Sequence, residues 1–278
     1  MKKISRRSFM AAAAVSVAAL ALTACGGSAS SAASSVASSA ASSEAVSSAA
    51  AAELTTVEAG KLTMATNATF PPYEMTTDSG EIEGIDVDTA KAIAEKLGLE
   101  LQIDDMEFDA ALLSVQQGKA DIVMAGVTVT DERKAVMDFS DSYATGIQSI
   151  IVPNDSDIAS PDDLAGKKIG TQRGTTGYIY CSDDFGDENV VAYDDGLTAV
   201  QALNNGQVDA VVIDNAPAKE FIAANPGLVI LETSYAEEDY AIGLAKGSSL
   251  EDAINSALEE LKADGTLQSI VDKYISAE

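Results

Sequence analysis

The sequence predicts an α/β fold, because short apolar segments typical of buried strands alternate with segments of helical spacing from about residue 54 onward. A second observation is an internal echo, in which residues 116–124 (QQGKADIVM) resemble residues 204–212 (NNGQVDAVV). Each copy has the pattern of a helix end, a glycine turn, an aspartate and a buried strand. The repetition predicts two lobes of similar construction.

The individual elements are predicted from the spacing of apolar residues and from the glycines or prolines that end them. A first strand is predicted at residues 62–66 and a second at 99–103. Between them, apolar residues recur at helical spacing from Val87 to Leu97, and Gly98 follows as a helix stop. The later predictions are a helix ending at Gly118, strands at 150–153 and 168–171, a helical turn at 161–164, a helix at 197–203, and two C-terminal helices separated at Gly265.

Residues 1–24 have the pattern of a lipoprotein signal peptide. Lys and Arg side chains form a basic region at residues 2–7, and the apolar run at 9–22 is too short to span a bilayer. Leu22-Thr23-Ala24-Cys25 resembles a bacterial lipobox, which implies cleavage before Cys25 and acylation of its thiol by a fatty acid such as palmitate. We therefore expect an extracytoplasmic protein that a lipid anchors to the bacterial cell membrane.

The segment after Cys25 is a predicted tether. Residues 26–52 consist almost entirely of Ser and Ala, and their single charge is Glu44. Such a composition buries too little apolar surface to offset the entropy of ordering the chain. We predict that residues 25–53 are flexible, with a random-coil reach of roughly 30 Å. An Ala-rich helix is the alternative, which the dense Ser content disfavours.

The composition narrows the classes of function. The chain has 17 Lys and Arg against 44 Asp and Glu, so nucleic acid is disfavoured as a partner. It has no His, which argues against a metal site and against His-based catalysis, and we expect no cofactor and no catalytic residue. Because Cys25 is assigned to the lipid, Cys181 has no partner for a disulfide.

Residues 120–133 are the most informative segment of the chain. A small, apolar run leads into a Gly/Thr loop and then a charged helix. Arg133 lies in the first turn of that helix, where the macrodipole disfavours a cation. Asp131 and Glu132 could compensate for it at the surface. Alternatively, Arg133 could be a bidentate clamp for a ligand carboxylate, flanked by Thr128 and backbone N–H groups of the loop. The sequence leaves both interpretations open.

The two copies of the echo place opposite charges after equivalent strands. Gly126, Thr128 and Arg133 follow the first strand, and Asp214 follows the second. Ligands of open α/β sheets bind beyond the carboxyl ends of the strands, so a zwitterion would fit between two facing lobes. An ordinary helix N-cap before Pro217 is the alternative for Asp214.

Two further loops supply candidate ligand contacts. Residues 172–177 (QRGTTG) follow a strand and open a helix, so their N–H groups and hydroxyls could hold a carboxylate. Residues 67–73 (NATFPPY) place Phe70 and Tyr73 after the first strand, and Phe108 precedes another helix. Aromatic rings at strand ends are more typical of a core than of a ligand cage, and both interpretations stay open.

The chain from about Leu62 to Tyr274 resembles the polar amino-acid solute-binding proteins of ABC importers, family 3. The resemblance rests on six motifs in the family's order: TNATFPPYE at 66–74, GIDVD at 84–88, AGVTVTDER at 125–133, DFSDSY at 138–143, GTTG at 174–177 and VDAVVID at 208–214. It implies an α/β, two-lobed periplasmic-binding-protein fold of type II, with a ligand cleft between lobes joined by a two-segment hinge. Lobe 1 would comprise residues 54–146 and 244–278, and lobe 2 residues 147–243 with the hinge segments.

The resemblance also implies a role for each candidate residue. Arg133 would bind the α-carboxylate of the ligand, and Asp214 its α-ammonium. The other contacts would be Gly126, Thr128 and Thr176 around the amino-acid backbone, Phe70 and Phe108 on both sides of the side chain with Tyr73 nearby, and Asn67 and Gln172 at its distal end. Asp86 and Asp88 fit a structural role, as capping groups at a helix start.

Asn67 bears on the choice of ligand. Family members for arginine, lysine or histidine often carry Asp at this position, and Asn lacks the charge that would pair with a distal cation. A neutral polar amino acid such as glutamine, or cystine, therefore fits at least as well as a cationic one, unless Glu74 or Glu107 approaches the ligand.

The implied function is that of a monomeric, non-enzymatic lipoprotein of an ABC importer. It would capture a polar L-amino acid by hinge closure and deliver it to the permease and ATPase subunits. A dehydratase-like enzyme or a sensory protein on the same fold is the alternative, and the absence of His and of a reactive-base constellation from the sequence disfavours the enzyme.

Overall fold

The secondary structure is that of the computed structural model, which describes residues 54–275. The predicted signal peptide at 1–24, the predicted lipidation site Cys25 and the predicted tether at 25–53 lie outside the described residues. The strands are β1 (Lys61–Thr66), β2 (Thr69–Phe70), β3 (Glu74–Thr76), β4 (Ile82–Glu83), β5 (Glu100–Asp105), β6 (Ile122–Val123), β7 (Met137–Pro153), β8 (Ile169–Gln172), β9 (Val190–Tyr193), β10 (Ala210–Asp214), β11 (Leu228–Ile230) and β12 (Ala236–Ala245). The helices are α1 (Ile85–Leu97), α2 (Phe108–Gln116), α3 (Asp131–Lys134), α4 (Thr176–Phe185), α5 (Gly196–Asn204), α6 (Asn215–Ala223), α7 (Glu251–Ala263) and α8 (Thr266–Tyr274), with 3₁₀ turns at Pro161–Leu164 and Asp187–Asn189.

The strands form two parallel groups that a pair of long antiparallel strands connects. Within residues 54–275, nine strands make one sheet in the order β5-β1-β6-β12-β7-β10-β8-β9, with β11 beside β7. Strands β5, β1 and β6 are parallel and belong to lobe 1, and strands β10, β8 and β9 are parallel and belong to lobe 2. Strand β12 pairs with β6 of lobe 1, strand β7 pairs with β10 of lobe 2, and the two strands pair with each other. They are the two segments that join the lobes of this α/β, two-lobed fold.

Lobe 1 has helices on both faces of its parallel strands. On one face, Leu62 of β1 shares a buried core with Ile93 of α1 and Leu258 of α7. On the other face, Ala65 of β1 shares a core with Val115 of α2. Since successive side chains of a strand point to opposite faces, β1 is buried on both sides, as its run of small and apolar residues predicts.

Lobe 2 is built in the same way. Val211 of β10 shares a core with Val200 of α5 and Phe221 of α6. The neighbouring Val212 faces the opposite core, which contains Ile169 of β8 and Cys181 of α4. The two lobes therefore have the same order of layers, which is the architecture that the repeated sequence pattern predicts.

The internal echo is confirmed as a repeated structural unit. Helices α2 and α5 each end before a turn and a strand that pairs in parallel with a neighbour. The Asp121 carboxylate accepts a hydrogen bond from the backbone N–H of Thr63 at 2.8 Å. The Asp209 carboxylate accepts one from the backbone N–H of Lys168 at 2.8 Å. Each aspartate therefore fixes its turn to the adjacent parallel strand.

Strand β7 differs most from the elements that were predicted from the sequence. The strand predicted at 150–153 is the end of a strand of 17 residues, whereas the segment at 120–129 contains only the two strand residues Ile122 and Val123. The first part of β7 is polar at many positions, and its pairing with the distant strand β12 supplies the order that no local pattern indicates. The predicted lobe boundaries at 146/147 and 243/244 fall inside β7 and β12.

The C-terminal helices return to lobe 1. The Tyr274 hydroxyl accepts a hydrogen bond from the Gly84 N–H at 3.2 Å and donates one to the Asp88 carboxylate at 2.9 Å. Lys273 Nζ lies 2.7 Å from the same carboxylate. The expected capping role of Asp88 is wrong, because the start of α1 at Gly84 has no side-chain cap and Asp88 instead joins α1 to α8.

Candidate functional site

A cavity lies where the two lobes meet. Its walls come from the carboxyl ends of strands in both lobes: Asn67 follows β1, Gly126 follows β6, Gln172 ends β8 and Asp214 ends β10. This is the position at which open α/β sheets bind ligands. The sequence predicted these four residues as ligand contacts, and the fold brings them to one cavity.

The other predicted contacts join them there, with one exception. The cavity is also lined by Phe70, Phe108, Thr128, Arg133 and Thr176. Tyr73 does not line it, because its ring stacks on the Phe70 ring at 5.7 Å and meets the Tyr240 ring edge-on at 5.5 Å. Tyr73 therefore supports Phe70 from behind. The residues that complete the lining are Glu74, Ala125, Gln148, Thr175, Val212, Ile213 and Tyr240.

Arg133 is a buried cation. It lies in the one-turn helix α3, whose N-cap Thr130 accepts the Arg133 backbone N–H at 3.2 Å. The guanidinium donates to the carbonyl of Thr128 at 2.7 Å and to the carbonyl of Gly174, in lobe 2, at 3.2 Å. Its carbon Cζ lies 5.4 Å from the centre of the Phe108 ring.

The surface interpretation of Arg133 is wrong. The residue is only 8% exposed, and no carboxylate within residues 54–275 approaches its guanidinium to ion-pair distance. Burial lowers the pKa of Arg133, although a guanidinium keeps its charge at neutral pH. Two of its five N–H groups hold the carbonyl oxygens, so the rest can face a carboxylate in the cavity.

Asp214 is a buried anion on the opposite lobe. Its two carboxylate oxygens accept the backbone N–H groups of Ile147 at 2.8 Å and Ala216 at 2.9 Å. Burial raises the pKa of Asp214 to about 6, against these two hydrogen bonds, which lower it. Among the described residues no Lys or Arg pairs with it. Asp214 caps α6, as the alternative interpretation predicted, and the residue also lines the cavity.

Direct contacts join the lobes around the cavity. Gln172 Nε2 donates to Asn67 Oδ1 at 2.8 Å, and Asn67 Nδ2 donates to the carbonyl of Met106 at 3.0 Å. The hydroxyls of Thr128 and Thr176 lie 3.4 Å apart. The amide of Asn67 is thus engaged by protein atoms at both its oxygen and its nitrogen.

Neighbouring side chains restrict the space around Gly126 and hold its backbone. Its φ of +57° is one that glycine adopts easily, and a Cβ built on it would lie 2.8 Å from Cε1 of Phe70. Its N–H donates to the Asp86 carboxylate at 3.0 Å, and the Tyr143 hydroxyl donates to the same carboxylate at 2.7 Å. Asp86 therefore holds the cavity loop and does not cap α1, so the capping expectation is wrong for it too.

Glu74 is the second acidic residue of the lining. It is fully buried in β3, and neither carboxyl oxygen accepts a hydrogen bond from a donor among the described residues. Burial raises the pKa of Glu74 well above its usual range, and the nearby Asp86 raises it further. Glu107, the other acid considered from the sequence, is exposed and is not part of the lining.

Sequence reasoning missed the contributions of the joining strands. Gln148 of β7 and Tyr240 of β12 line the cavity, and Glu238 of β12 supports it. The Glu238 carboxylate accepts the Thr128 hydroxyl and the Gln148 amide, both at 3.0 Å. No local signal marks these residues, because they reach the cavity only through the long-range pairing of β7 with β12.

The chemistry of this cavity is that of a binding site. It presents a cation, two buried carboxyls and three aromatic rings, those of Phe70, Phe108 and Tyr240. Within residues 54–275 no group of His, Cys, Asp and Glu is placed to hold a metal ion. The Cys181 thiol is buried, and burial raises its pKa to about 12, so it is not a reactive nucleophile. None of the helices in this described range is long and apolar enough to span a bilayer.

Comparisons with known proteins agree with the sequence motifs. The family model described as bacterial extracellular solute-binding proteins, family 3, matches residues 62–277. The L-cystine-binding protein TcyJ of Escherichia coli K12 is 32% identical over 225 residues, which cover 80% of this chain and 85% of TcyJ. The arginine-binding extracellular protein ArtP of Bacillus subtilis 168 is 33% identical over 228 residues, which cover 78% of this chain and 87% of ArtP.

A solved structure agrees as well. An ancestral arginine-binding protein bound to arginine is 42% identical, with a TM-score of 0.74 over 78% of this chain and 99% of that protein. These relatives are named as binding proteins and not as enzymes, and the chain is likewise a non-enzymatic solute-binding protein. With its two lobes, its cavity between them and a family match over most of its length, the chain belongs to the bacterial extracellular solute-binding proteins, family 3.

Proposed function

We propose that this protein binds an L-amino acid with a cationic side chain, with arginine as the first candidate, and delivers it to an ABC importer. The observation that carries the proposal is the pair Arg133 and Asp214. They are a buried cation and a buried anion, neither ion-paired within residues 54–275, and both line one cavity. A buried charge is costly unless it is paired, so each is suited to a ligand charge of the opposite sign.

An amino-acid zwitterion supplies both charges in one small molecule. Its α-carboxylate would accept the free N–H groups of Arg133, and its α-ammonium would donate to Asp214. Thr128, Thr176 and the loop at Gly126 would complete the contacts with the amino-acid backbone. Because Arg133 and Asp214 belong to different lobes, the same ligand would favour the arrangement in which the lobes are together.

Glu74 supports a cationic side chain. It is a lining carboxyl that accepts no hydrogen bond from the described residues. A guanidinium donates two parallel hydrogen bonds to a carboxylate and stacks on aromatic faces, and Phe70 and Phe108 line the same cavity. The names of the arginine-binding relatives point the same way. Asn67, which disfavoured a cation in the sequence, is already engaged by Gln172 and Met106.

In the cell, the protein would be a monomer, held at the outer face of the cell membrane by a lipid on Cys25 and by the tether at residues 25–53. Hinge closure about β7 and β12 would capture the amino acid. The permease and ATPase subunits of the importer would be its partners.

A thermal-shift screen of the purified protein against the common L-amino acids, with cystine and citrulline added, tests this proposal. A ligand at 100 times its Kd adds about 2.7 kcal/mol, or about 5–11 °C for a domain of this size. We expect arginine to give the largest shift. Asp214→Asn should remove it, whereas the exposed control Asp183→Asn should not. No shift with any amino acid would overturn the proposal, and a larger shift with glutamine or cystine would overturn its choice of ligand.

A further inference from the structure

Two buried carboxyl groups, one of which lines the cavity, lie next to each other. Glu74 of β3 and Asp86 of α1 are both fully buried, and no Lys or Arg within residues 54–275 pairs with either. Asp86 is occupied by two donors, the Gly126 N–H and the Tyr143 hydroxyl. Glu74 lines the cavity, its oxygens have no donor in the described part of the chain, and its carboxyl lies within hydrogen-bonding reach of Asp86. The two acids therefore differ in how well their charged forms are solvated.

The surroundings of the pair are acidic or neutral. The titratable groups that act on Glu74 and Asp86 are the hydroxyls of Tyr73 and Tyr143 and the carboxylate of Asp105. Arg133 and Asp214 lie along the same cavity. Two neighbouring buried carboxyls do not both ionise at low cost, so one of them keeps a proton.

The hydrogen bonds determine which of the two carboxyls keeps the proton. Two donors stabilise the Asp86 carboxylate, and a protonated Glu74 can donate a third hydrogen bond to it, whereas no donor among the described residues reaches a Glu74 carboxylate. Burial raises the pKa of Asp86 to about 6 and that of Glu74 well above its usual range. The proton therefore belongs on Glu74 in the absence of a cation.

We propose that Glu74 is the specificity-determining residue and that it exchanges this proton for the cationic side chain of the ligand, with Asp86 as the positioning residue. The inference rests on the proposed function. The O–H bond of Glu74 breaks, the proton passes to solvent, and the carboxylate pairs with the guanidinium, which stays protonated throughout. Before this step Glu74 is neutral and the guanidinium is positive, and after it the two opposite charges cancel. The difference in charge is that of the released proton.

Proton release makes the selectivity depend on pH. By linkage, a ligand that releases one proton binds up to about tenfold more weakly for each unit by which the pH falls below the pKa of the free pair. Citrulline has nearly the shape of arginine but a neutral side chain, so Glu74 gains nothing by ionising beside it. Asp214 meets the α-ammonium of both ligands, and its own titration therefore cancels in the comparison.

The test is calorimetric titration of the purified protein with arginine and with citrulline between pH 5 and 8. At each pH, buffers with different ionisation enthalpies give the number of protons released. We expect arginine to release up to one proton more than citrulline, and the ratio of their affinities to rise with pH. Glu74→Gln should abolish the difference in protons, whereas the exposed control Glu95→Gln should preserve it. Asp86→Asn should move the midpoint of the affinity ratio to lower pH.

The outcomes separate this inference from the function on which it rests. Tight arginine binding with equal proton release for the two ligands would overturn the inference and leave the proposed function standing. An unchanged midpoint in Asp86→Asn would show that Asp86 is not the positioning residue for Glu74. A failure of both ligands to bind would overturn the function and the inference together. The comparison of the two ligands on the unaltered protein needs no variant to fold.

Discussion

Replacing Arg133 by Met should separate ligand binding from folding. Met is about as long as Arg, is apolar, and can pack against the Phe108 ring that lies 5.4 Å from the guanidinium carbon. Removing the cation removes a desolvation cost of several kcal/mol. It also removes two hydrogen bonds to carbonyl oxygens, each worth about 1.5–3 kcal/mol for a charged donor. These contributions nearly cancel, so the free energy of unfolding without ligand should change by about 1 kcal/mol or less.

The effect on binding should be much larger. Arg133→Met leaves the ligand α-carboxylate unpaired in a desolvated cavity, which costs about 2–5 kcal/mol. The Kd for arginine should rise by about 30- to 4,000-fold. Urea unfolding measures the first quantity and calorimetric titration the second. Arg173→Met is the matched control, because Arg173 is in the neighbouring loop but its side chain is half exposed and does not line the cavity.

Two results would refute this reasoning. An unchanged Kd would show that Arg133 is not the carboxylate clamp. A loss of more than about 3 kcal/mol of stability without ligand would show that the carbonyl contacts with Thr128 and Gly174 are worth more than the buried charge costs, so that the residue is primarily structural.

Three further predictions concern Gly126, Asp214 and Cys25. Gly126→Ala should weaken arginine binding at least tenfold in calorimetry, since the new Cβ would lie 2.8 Å from the Phe70 ring; Gly80→Ala, with a similar positive φ and open space around it, is the control. The free energy of unfolding without ligand should fall as pH rises from about 4 through about 6, because burial raises the pKa of Asp214 to about 6 and protonation therefore favours the folded state. Asp214→Asn should reduce that fall in urea unfolding. Cys25→Ala should move the protein from the membrane fraction to the soluble fraction, because the acyl chains are lost.

Each of these predictions has a contrary result. Equal losses in Gly126→Ala and Gly80→Ala would mean that backbone strain, and not the Phe70 contact, is responsible. An identical pH profile in Asp214→Asn would mean that other buried acids carry the titration. A soluble protein with an unmodified Cys25 would overturn the lipid anchor.

The parts of the fold that depend on local pattern were predictable from the sequence. The helix from Val87 to Leu97 and the two C-terminal helices separated at Gly265 are present, because their apolar spacing and glycine stops act within the segment itself. The polar strand β7 and its partner β12 were not predictable, because their order comes from pairing between residues about 100 positions apart. The sheet position of Asp214 followed from the internal echo, which repeats a whole structural unit.

The site likewise contains some residues that were predictable from the sequence and others that were not. Arg133, Asp214 and Thr176 were predictable because they follow buried strands, at the end of the sheet where ligands bind. The Asp86 interaction with Gly126 was not, since an acid in the first turn of a helix has the same local pattern whether it caps that helix or holds a distant loop. Tyr73 shows the converse, because its aromatic neighbours in space, and not its place in the motif, direct it away from the cavity.

The discontinuous construction of lobe 1 has a consequence for how the protein is made. Its core joins Leu62 near one end of the described chain to Leu267 near the other, and a hydrogen bond links Gly84 to Tyr274 across 190 positions. Contacts so far apart in sequence form late, after the cost of closing a long loop. While the chain is being synthesised, the apolar face of β1 can pack on α1, but its core stays incomplete until α7 and α8 emerge. Lobe 2, whose core is continuous in sequence, can fold first and so set the order of maturation.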